Sequence, residues 1–337
     1  MSRPYLAIVG GQSLAGREVR NLLSEQSFPA QVRLIGADAE EIGAVTEQDG
    51  EPVVVSSLDQ DNLTGARLVI LAGPPASSRK AFELISRAEP VPGVIDLTGG
   101  LEDFPGARLR APFVEPSGYS APAEAIHVVA QPAAIALALL FTRLYAAYPF
   151  RGSVVQVFEP ASERGQRGID ELQQQTVNLL SFKQLPKQVY DAQLGFNMLA
   201  RFGEDAPQPL EDAERRIERH LASLLAIEGR VPPPSLRLIQ APVFHGYSAS
   251  IWVDFESNPG VEAIEQALAC EHIDVRSGNL EPPSNVAMAG LSGIGVGAVS
   301  EDRNRPRAAW LFMAADNHTL AAENAIAVAR QLLEEAA

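Results

Sequence analysis

The strongest constraint on this chain's fold lies in its first two dozen residues. Tyr5–Val9 (Tyr-Leu-Ala-Ile-Val) is an unbroken apolar run. Gly10-Gly11-Gln12-Ser13-Leu14-Ala15-Gly16 follows, and the next residues place Val19, Leu22 and Leu23 at helical spacing. A short run of this kind suits a strand buried on both faces of a parallel sheet. The alternation then repeats. Residues 32–35, 53–56, 68–72 and 94–97 read as strands, and residues 77–88 as a helix. Strands alternating with helices predict an α/β, doubly wound, Rossmann-like domain.

Between a strand and a helix, a glycine loop can offer backbone N–H groups and a helix N-terminus to a pyrophosphate. The candidate cofactor-binding residues are therefore Gly10, Gln12, Ser13 and Gly16, with Ser13 standing where such loops carry a middle glycine. Asp38 lies 22 residues after Gly16, just past the second strand. A carboxylate there accepts hydrogen bonds from a ribose 2′-hydroxyl and repels a 2′-phosphate. Glu40 and Glu41 add to the repulsion, so a bound dinucleotide is expected to be NAD rather than NADP.

The pattern changes after residues 127–130. Helices are predicted over 133–148, 168–180, 209–225, 259–269 and 316–335, and strands over 153–158, 236–241, Tyr247–Phe255 and 308–314. Longer alternating strands point to an antiparallel or mixed sheet with helices on one face. A length of 337 residues accommodates two domains. The net charge of −15 argues against nucleic acid or an anionic membrane as the main partner. The longest apolar stretch, residues 133–141, falls far short of the ~20 needed to span a bilayer. The N-terminus has no charged segment followed by an apolar one, so a cytoplasmic location is expected. One cysteine, Cys270, and five histidines without HxH or HExxH spacing give no reason to expect a metal. His127, His220, His272 and His318 read as packing or surface residues. The glycines at 290, 293, 295 and 297 precede no helix and are not read as a phosphate loop.

Several separate motifs, in order, resemble the aspartate-semialdehyde dehydrogenase family, and within it the diverged bacterial Usg-type paralogues. Gly10–Gly16 resembles Gly-Ala-Thr-Gly-x-Val-Gly. Asp96-Leu97-Thr98-Gly99-Gly100-Leu101 resembles Asp-Leu-Ser-Ser-Ala-Phe. Ser162-Glu163-Arg164-Gly165, with Gly168, Glu171 and Leu172, resembles Ser-Gly-Ala-Gly-x-x-Gly-x-x-Glu-Leu. Phe196-Asn197-Met198-Leu199, Ala241-Pro242-Val243-x-x-Gly246 and Asp316-Asn317 followed by Asn324-Ala325 match further motifs. The resemblance implies a Rossmann-like NAD(P)-binding domain, residues 1–128 plus 308–337. It also implies an α+β catalytic and dimerisation domain, residues 129–307, and a homodimer.

The family's reaction reduces an acyl phosphate to an aldehyde through a thioester, which requires a nucleophilic cysteine. The resemblance puts that position on Pro132 and the acid/base histidine on Tyr247. It puts the substrate-carboxylate arginine on Gln240, the phosphate-binding arginine on Glu102 and the phosphate-binding lysine on Glu214. The glutamine that orients the thiol falls on Glu159, and only the glutamate at Glu211 is retained. Cys270, at the end of an apolar helix, reads as packing. The resemblance therefore implies that the ancestral dehydrogenase activity is absent, leaving a homodimer that senses NAD or pairs with another protein. The alternative is an NAD(P)-linked oxidoreductase acting on an aldehyde with new site chemistry. If Glu102, Glu159, Glu211 and Glu214 converge, they form an acidic pocket for an amine or a divalent cation, with His245 beside Tyr247 on one face of a strand.

Overall fold

A computed structural model describes residues 5–26, 28–88, 90–122, 125–227 and 229–334. Met1–Pro4, and Glu335 at the end of the predicted last helix, lie outside the described residues. The chain divides into two units, Met1–Ala130 with Ala321–Ala337, and Gln131–Leu320.

In the first unit, β1 (Tyr5–Val9) leads through the glycine loop into α1 (Leu14–Glu25) and β2 (Gln31–Ile35). A hairpin follows, β3 (Val45–Gln48) and β4 (Glu51–Val54), then α2 (Gln60–Leu63), β5 (Ala66–Leu71), α3 (Pro75–Ile85), β6 (Gly93–Asp96), β7 (Ala107–Arg110) and β8 (Ile126–Val129). Six strands form one sheet in the order β2-β1-β5-β6-β8-β7, every pair parallel. Ala7, Val9, Val69, Leu71, Val94, Ile126 and Val128 pack on one face with Ala81 and Ile85 of α3. The strand expected at 53–56 does not join this sheet. It forms β4 of the separate hairpin, and only Ser56 bridges back to Ile35.

The second unit contains α4 (Pro132–Ala147), β9 (Phe150–Glu159), a 3₁₀ turn (Ala161–Arg164), α5 (Gly165–Leu180), α6 (Leu210–Leu225), β10 (Ser235–Gln240), β11 (Tyr247–Phe255), α7 (Val261–Leu268), β12 (Ile273–Arg276), β13 (Ile294–Glu301) and β14 (Ala308–Ala315). Its mixed sheet runs β10-β9-β11-β14-β13-β12. The last helix, α8 (Asn317–Glu334), begins here, and its residues from Ala321 on belong to the first unit. The expected return at residue 308 is thus corrected: β14 pairs with β11 and β13, which holds it in the second unit.

α4 is buried around nearly its whole circumference, from Ala133 to Phe141 and again at Leu144. Its alanines allow close packing against α6 and α7. One face of the mixed sheet is a core of Val155, Val157, Ile251, Val253, Leu311 and Met313. Val154, Trp252 and Trp310 lie on the other face in mutual register, with Val154 44% and Trp310 42% exposed. Both indole N–H groups donate to Asp302 Oδ2, at 2.8 and 3.2 Å. Among the described residues, no helix is long and apolar enough to cross a membrane.

Candidate functional site

In the first unit the glycine loop sits over the ends of β1, β2 and β5, where the sheet order reverses direction. Gly10 N–H donates to Ile35 O at 2.8 Å, and Ala72 N–H donates to Val9 O at 2.9 Å. Gly10 has φ +80°, and a Cβ there would lie 2.4 Å from Gly73 Cα. A Cβ on Gly16 would lie 2.2 Å from Gly10 O, so both positions demand glycine. Ser13 takes over the middle position by bonding twice. Its Oγ accepts from Gly16 N–H at 2.9 Å as the N-cap of α1, and donates to Ala72 O at 2.6 Å. Among the described residues, the amides of Gly11, Gln12, Leu14 and Ala15 have no acceptor. The close backbone approach and these amides fit a phosphate group.

Asp38 is exposed just beyond β2. Its Oδ1 accepts from Glu40 N–H at 2.9 Å and Glu41 N–H at 3.2 Å. Glu41 folds back so that Oε2 accepts from Ala37 N–H at 2.7 Å. Burial, and to a lesser degree the Asp38 charge, raise the Glu41 carboxyl above its ordinary value, opposed by that backbone bond. Glu102 also lies in this unit, after a turn organised by buried Asp96. That carboxylate accepts from Thr98 N–H and Leu101 N–H, both at 2.8 Å.

In the second unit, Pro132 occupies the first position of α4, where its missing N–H costs nothing. Gln131 caps the helix. Its Oε1 accepts from Ala134 N–H at 3.2 Å, and its Nε2 donates to the Tyr247 hydroxyl at 2.5 Å. His220 of α6 accepts from Gln131 N–H through Nδ1 at 3.0 Å, a role its sequence context gave no sign of. Tyr247 in turn donates to Glu159 Oε2 at 3.5 Å, and Arg164 donates to Glu159 Oε1 at 2.6 Å. Tyr247 and Glu159 are each only 1% exposed. Burial pushes the Glu159 carboxyl up to about 7, against the pull of Arg164. Burial and the neighbouring Glu163 and Glu159 carboxylates raise the Tyr247 phenol well above its ordinary range. At neutral pH Tyr247 is therefore a hydrogen-bond donor and not a base.

Of the other predicted residues in this unit, Gln240 gathers here and Glu211 and Glu214 do not. Gln240 is buried beside Glu159, its Nε2 donating to Glu159 O at 2.8 Å and Ala241 O at 3.2 Å, and its Oε1 has no partner among the described residues. Glu211 is exposed on α6 and pairs with Arg215 one turn later. Glu214 accepts from Leu238 N–H of the edge strand β10 at 2.6 Å and pairs with Arg237 at 3.4 Å. It fastens α6 to the sheet. The acidic pocket thus does not form from Glu159, Glu211 and Glu214, because each is engaged by a different cation or amide. No group of three or more His, Cys, Asp or Glu among the described residues can hold a metal ion. His245 lies in the turn before β11, not on the strand, and its ring packs edge-on to His318 at 6.2 Å. Cys270 is half-buried beyond the end of α7, in an isolated bridge to Ile273.

Two residues that sequence reasoning gave no role complete the site. Arg164 stands where the quoted family motif has a small residue. Its guanidinium lies 5.1 Å from the centroid of the Phe202 ring, over its face, in addition to its bond to Glu159. Buried Asn317 accepts from Gly246 N–H at 3.0 Å and donates to Glu163 Oε1 at 2.7 Å, fixing the turn that delivers Tyr247. The only sequence signals were the motifs at residues 162–165 and 316–317.

The family described as semialdehyde dehydrogenase, dimerisation domain, matches residues 142–320. Aspartate-semialdehyde dehydrogenase of Prochlorococcus marinus is 26% identical over 97% of this chain and 95% of its own length. The USG-1 protein homolog of Pseudomonas aeruginosa is 28% identical over 80% of this chain and 79% of its own. The structure of a probable aspartate-semialdehyde dehydrogenase from Pseudomonas aeruginosa superposes with a TM-score of 0.86 at 26% identity, covering all of both chains. A more distant match at 15% identity, TM-score 0.67 and 99% coverage of each chain, is the enzyme of Candida albicans, whose structure holds NADP rather than the NAD expected from Asp38. With more than half its length matched by the family and its whole fold shared, this chain belongs to the semialdehyde dehydrogenase family.

Proposed function

We propose that this chain is a homodimeric, dinucleotide-binding family member that has given up the family's reaction. One observation carries the reading: the place where the resemblance puts the nucleophile is a proline at a helix start, and the groups around it are bonded to one another. A thioester needs a thiolate, and neither Pro132 nor its neighbours Gln131, Ala133 and Ala134 supplies a thiol or hydroxyl. Tyr247 holds its proton at neutral pH, so it does not replace an acid/base histidine. Arg164 neutralises Glu159 and occupies space beside it, which removes room for a substrate anion as well as charge to hold one.

The glycine loop supports retained dinucleotide binding, because Gly10 and Gly16 preserve the close approach that such a ligand needs. A nicotinamide cofactor would supply hydride chemistry. The Oδ2 of Asp38, which has no donor among the described residues, suits a ribose hydroxyl, and the carboxylates at Asp38, Glu40 and Glu41 disfavour a 2′-phosphate. The outer face of the mixed sheet, with Val154, Trp252 and Trp310, is the surface we assign to the second copy. The retained loop also supports the second reading, an oxidoreductase with new site chemistry. An assay with aspartate semialdehyde, phosphate and either nucleotide separates the two. No turnover agrees with the first, and turnover lost on Tyr247→Phe overturns it.

A further inference from the structure

Arg20 projects from the buried face of α1 and is 7% exposed. Among the described residues its bonded partners are all neutral. Nη1 donates to Gly11 O at 3.1 Å, Nε to Gln48 Oε1 at 3.1 Å, and Nη2 to Thr46 Oγ1 at 3.0 Å and to Glu47 O. Four donors of one guanidinium thus bind the glycine loop on one side and three consecutive residues of β3 on the other. Arg17, one turn earlier, donates to Gln12 O at 2.7 Å. A trans peptide is planar, with its carbonyl and the next amide pointing opposite ways. Holding Gly11 O therefore turns the Gln12 N–H away from Arg20, and it has no acceptor among the described residues. Holding Gln12 O likewise turns the Ser13 N–H toward Gly10 O, to which it donates at 3.0 Å.

Besides Arg20, the hairpin is held by Ser24 of α1, whose hydroxyl donates to Asp49 at 2.7 Å and accepts from Gln48 at 2.9 Å, and by the backbone bonds of Ser56 to Leu34 and Gly36. A two-stranded hairpin is marginal in water by itself. Its cross-strand pair Val45 and Val54 is exposed on both sides, and neither strand joins the parallel sheet. A buried guanidinium, in turn, is tolerated only where its donors are satisfied. The two requirements meet in Arg20. We propose that Arg20 is the positioning residue of the glycine loop, fixing the Gly11–Gln12 peptide and tying it to the β3–β4 hairpin, so that loop and hairpin order and loosen together. Its consequence for ligand affinity rests on the dinucleotide reading above; the mechanical coupling does not.

Hydrogen exchange on the full chain tests the coupling. The variants are Arg20→Met, Arg20→Lys, and Thr46→Val/Gln48→Ala, which leaves Arg20 in place but removes two of its acceptors. The amides of Gly10, Ser13 and Gly16, each bonded in this structure, should exchange roughly ten-fold faster or more in Arg20→Met and in the hairpin variant, with β5 and β6 unchanged. Arg20→Lys, which keeps the charge but reaches fewer acceptors, should fall between. A loop at wild-type rates in the hairpin variant overturns the proposal, as does acceleration spread equally over β5 and β6. Calorimetric titration with NAD and NADP then separates the two readings. If the wild type binds, Arg20→Met should weaken binding about ten-fold at a temperature where exchange of β5 and β6 shows the variant folded. If the wild type binds neither, the dinucleotide reading fails, and exchange alone still decides the coupling.

Discussion

Replacing Glu159 by glutamine should stabilise the protein at mildly alkaline pH, although it breaks a buried ion pair. Glu159 is 1% exposed and bonded to Arg164 at 2.6 Å, yet its carboxyl lies at about 7 against an ordinary value of 4.5. Burial therefore outweighs the attraction of the guanidinium. For an acid with a raised folded-state pKa, the folded state binds the extra proton between 4.5 and 7, so stability falls as pH rises through that window. A shift of that size corresponds to at most about 3 kcal/mol, fully expressed above pH 7 and absent below 4.5. Glutamine keeps an acceptor for Arg164 and carries no charge. Glu159→Gln should thus match the wild type near pH 4.5 and exceed it by up to about 3 kcal/mol near pH 8. Both tryptophans, Trp252 and Trp310, lie in the second unit, so denaturation followed by their fluorescence reports the unit that contains Glu159. Destabilisation by more than about 1 kcal/mol at pH 8 would show that the ion pair outweighs its desolvation, and would refute the reasoning.

Other outcomes follow from the same geometry. Buried His127, with Nδ1 2.8 Å from the Arg110 guanidinium, is held down at about 4 by burial and then by that charge. Its unfolded state takes up a proton first as pH falls from about 6.5 to about 4, so the first unit should lose up to about 3 kcal/mol across that window. His127→Gln should flatten that slope in melts followed by exchange of β8 amides. Ser13→Ala removes the N-cap of α1 and should cost about 1 kcal/mol in the first unit, read by the same exchange. Trp310→Glu should convert a dimer to a monomer in sedimentation experiments; a dimer that persists places the interface elsewhere. Titration should find NAD binding more tightly than NADP, and the reverse order would remove the role given to Asp38.

What the sequence revealed was periodicity and punctuation. Tyr5–Val9, β11 and the burial of α4 follow from apolar pattern alone: β11 alternates at the period of a strand, while Tyr5–Val9 and α4 are continuous apolar runs buried on nearly all sides. β7, reading Ala-Arg-Leu-Arg, alternates apolar and polar residues over only four positions, and the residue it buries is an arginine. Its Arg110 is buried through a two-pronged bond to Glu115, a pairing that no local rule announces. β4 looked like a sheet strand because its composition fits one, and only its pairing with β3 says otherwise. The site shows the same limit. The resemblance located Glu159, Glu211 and Glu214, but not what each would bond once its residue type had changed. Arg164 and Glu159 are five residues apart around a strand end and a 3₁₀ turn, and their meeting depends on backbone direction, not spacing. Glu211 and Glu214 are near neighbours on α6, three residues apart, and part company by partner: Glu211 pairs with Arg215 along the helix, and Glu214 reaches across to Leu238 N–H and Arg237.

The central claim is that the chemistry has gone while the fold and its loop remain. The most direct measurement is turnover of aspartate semialdehyde with phosphate and NAD or NADP, for the wild type and for Pro132→Cys. The account predicts no turnover in either, because a thiol at position 132 restores only the nucleophile and leaves a protonated Tyr247 and a Glu159–Arg164 pair in place of an acid/base and an anion site. Wild-type turnover that is abolished by Tyr247→Phe or Cys270→Ser would contradict it.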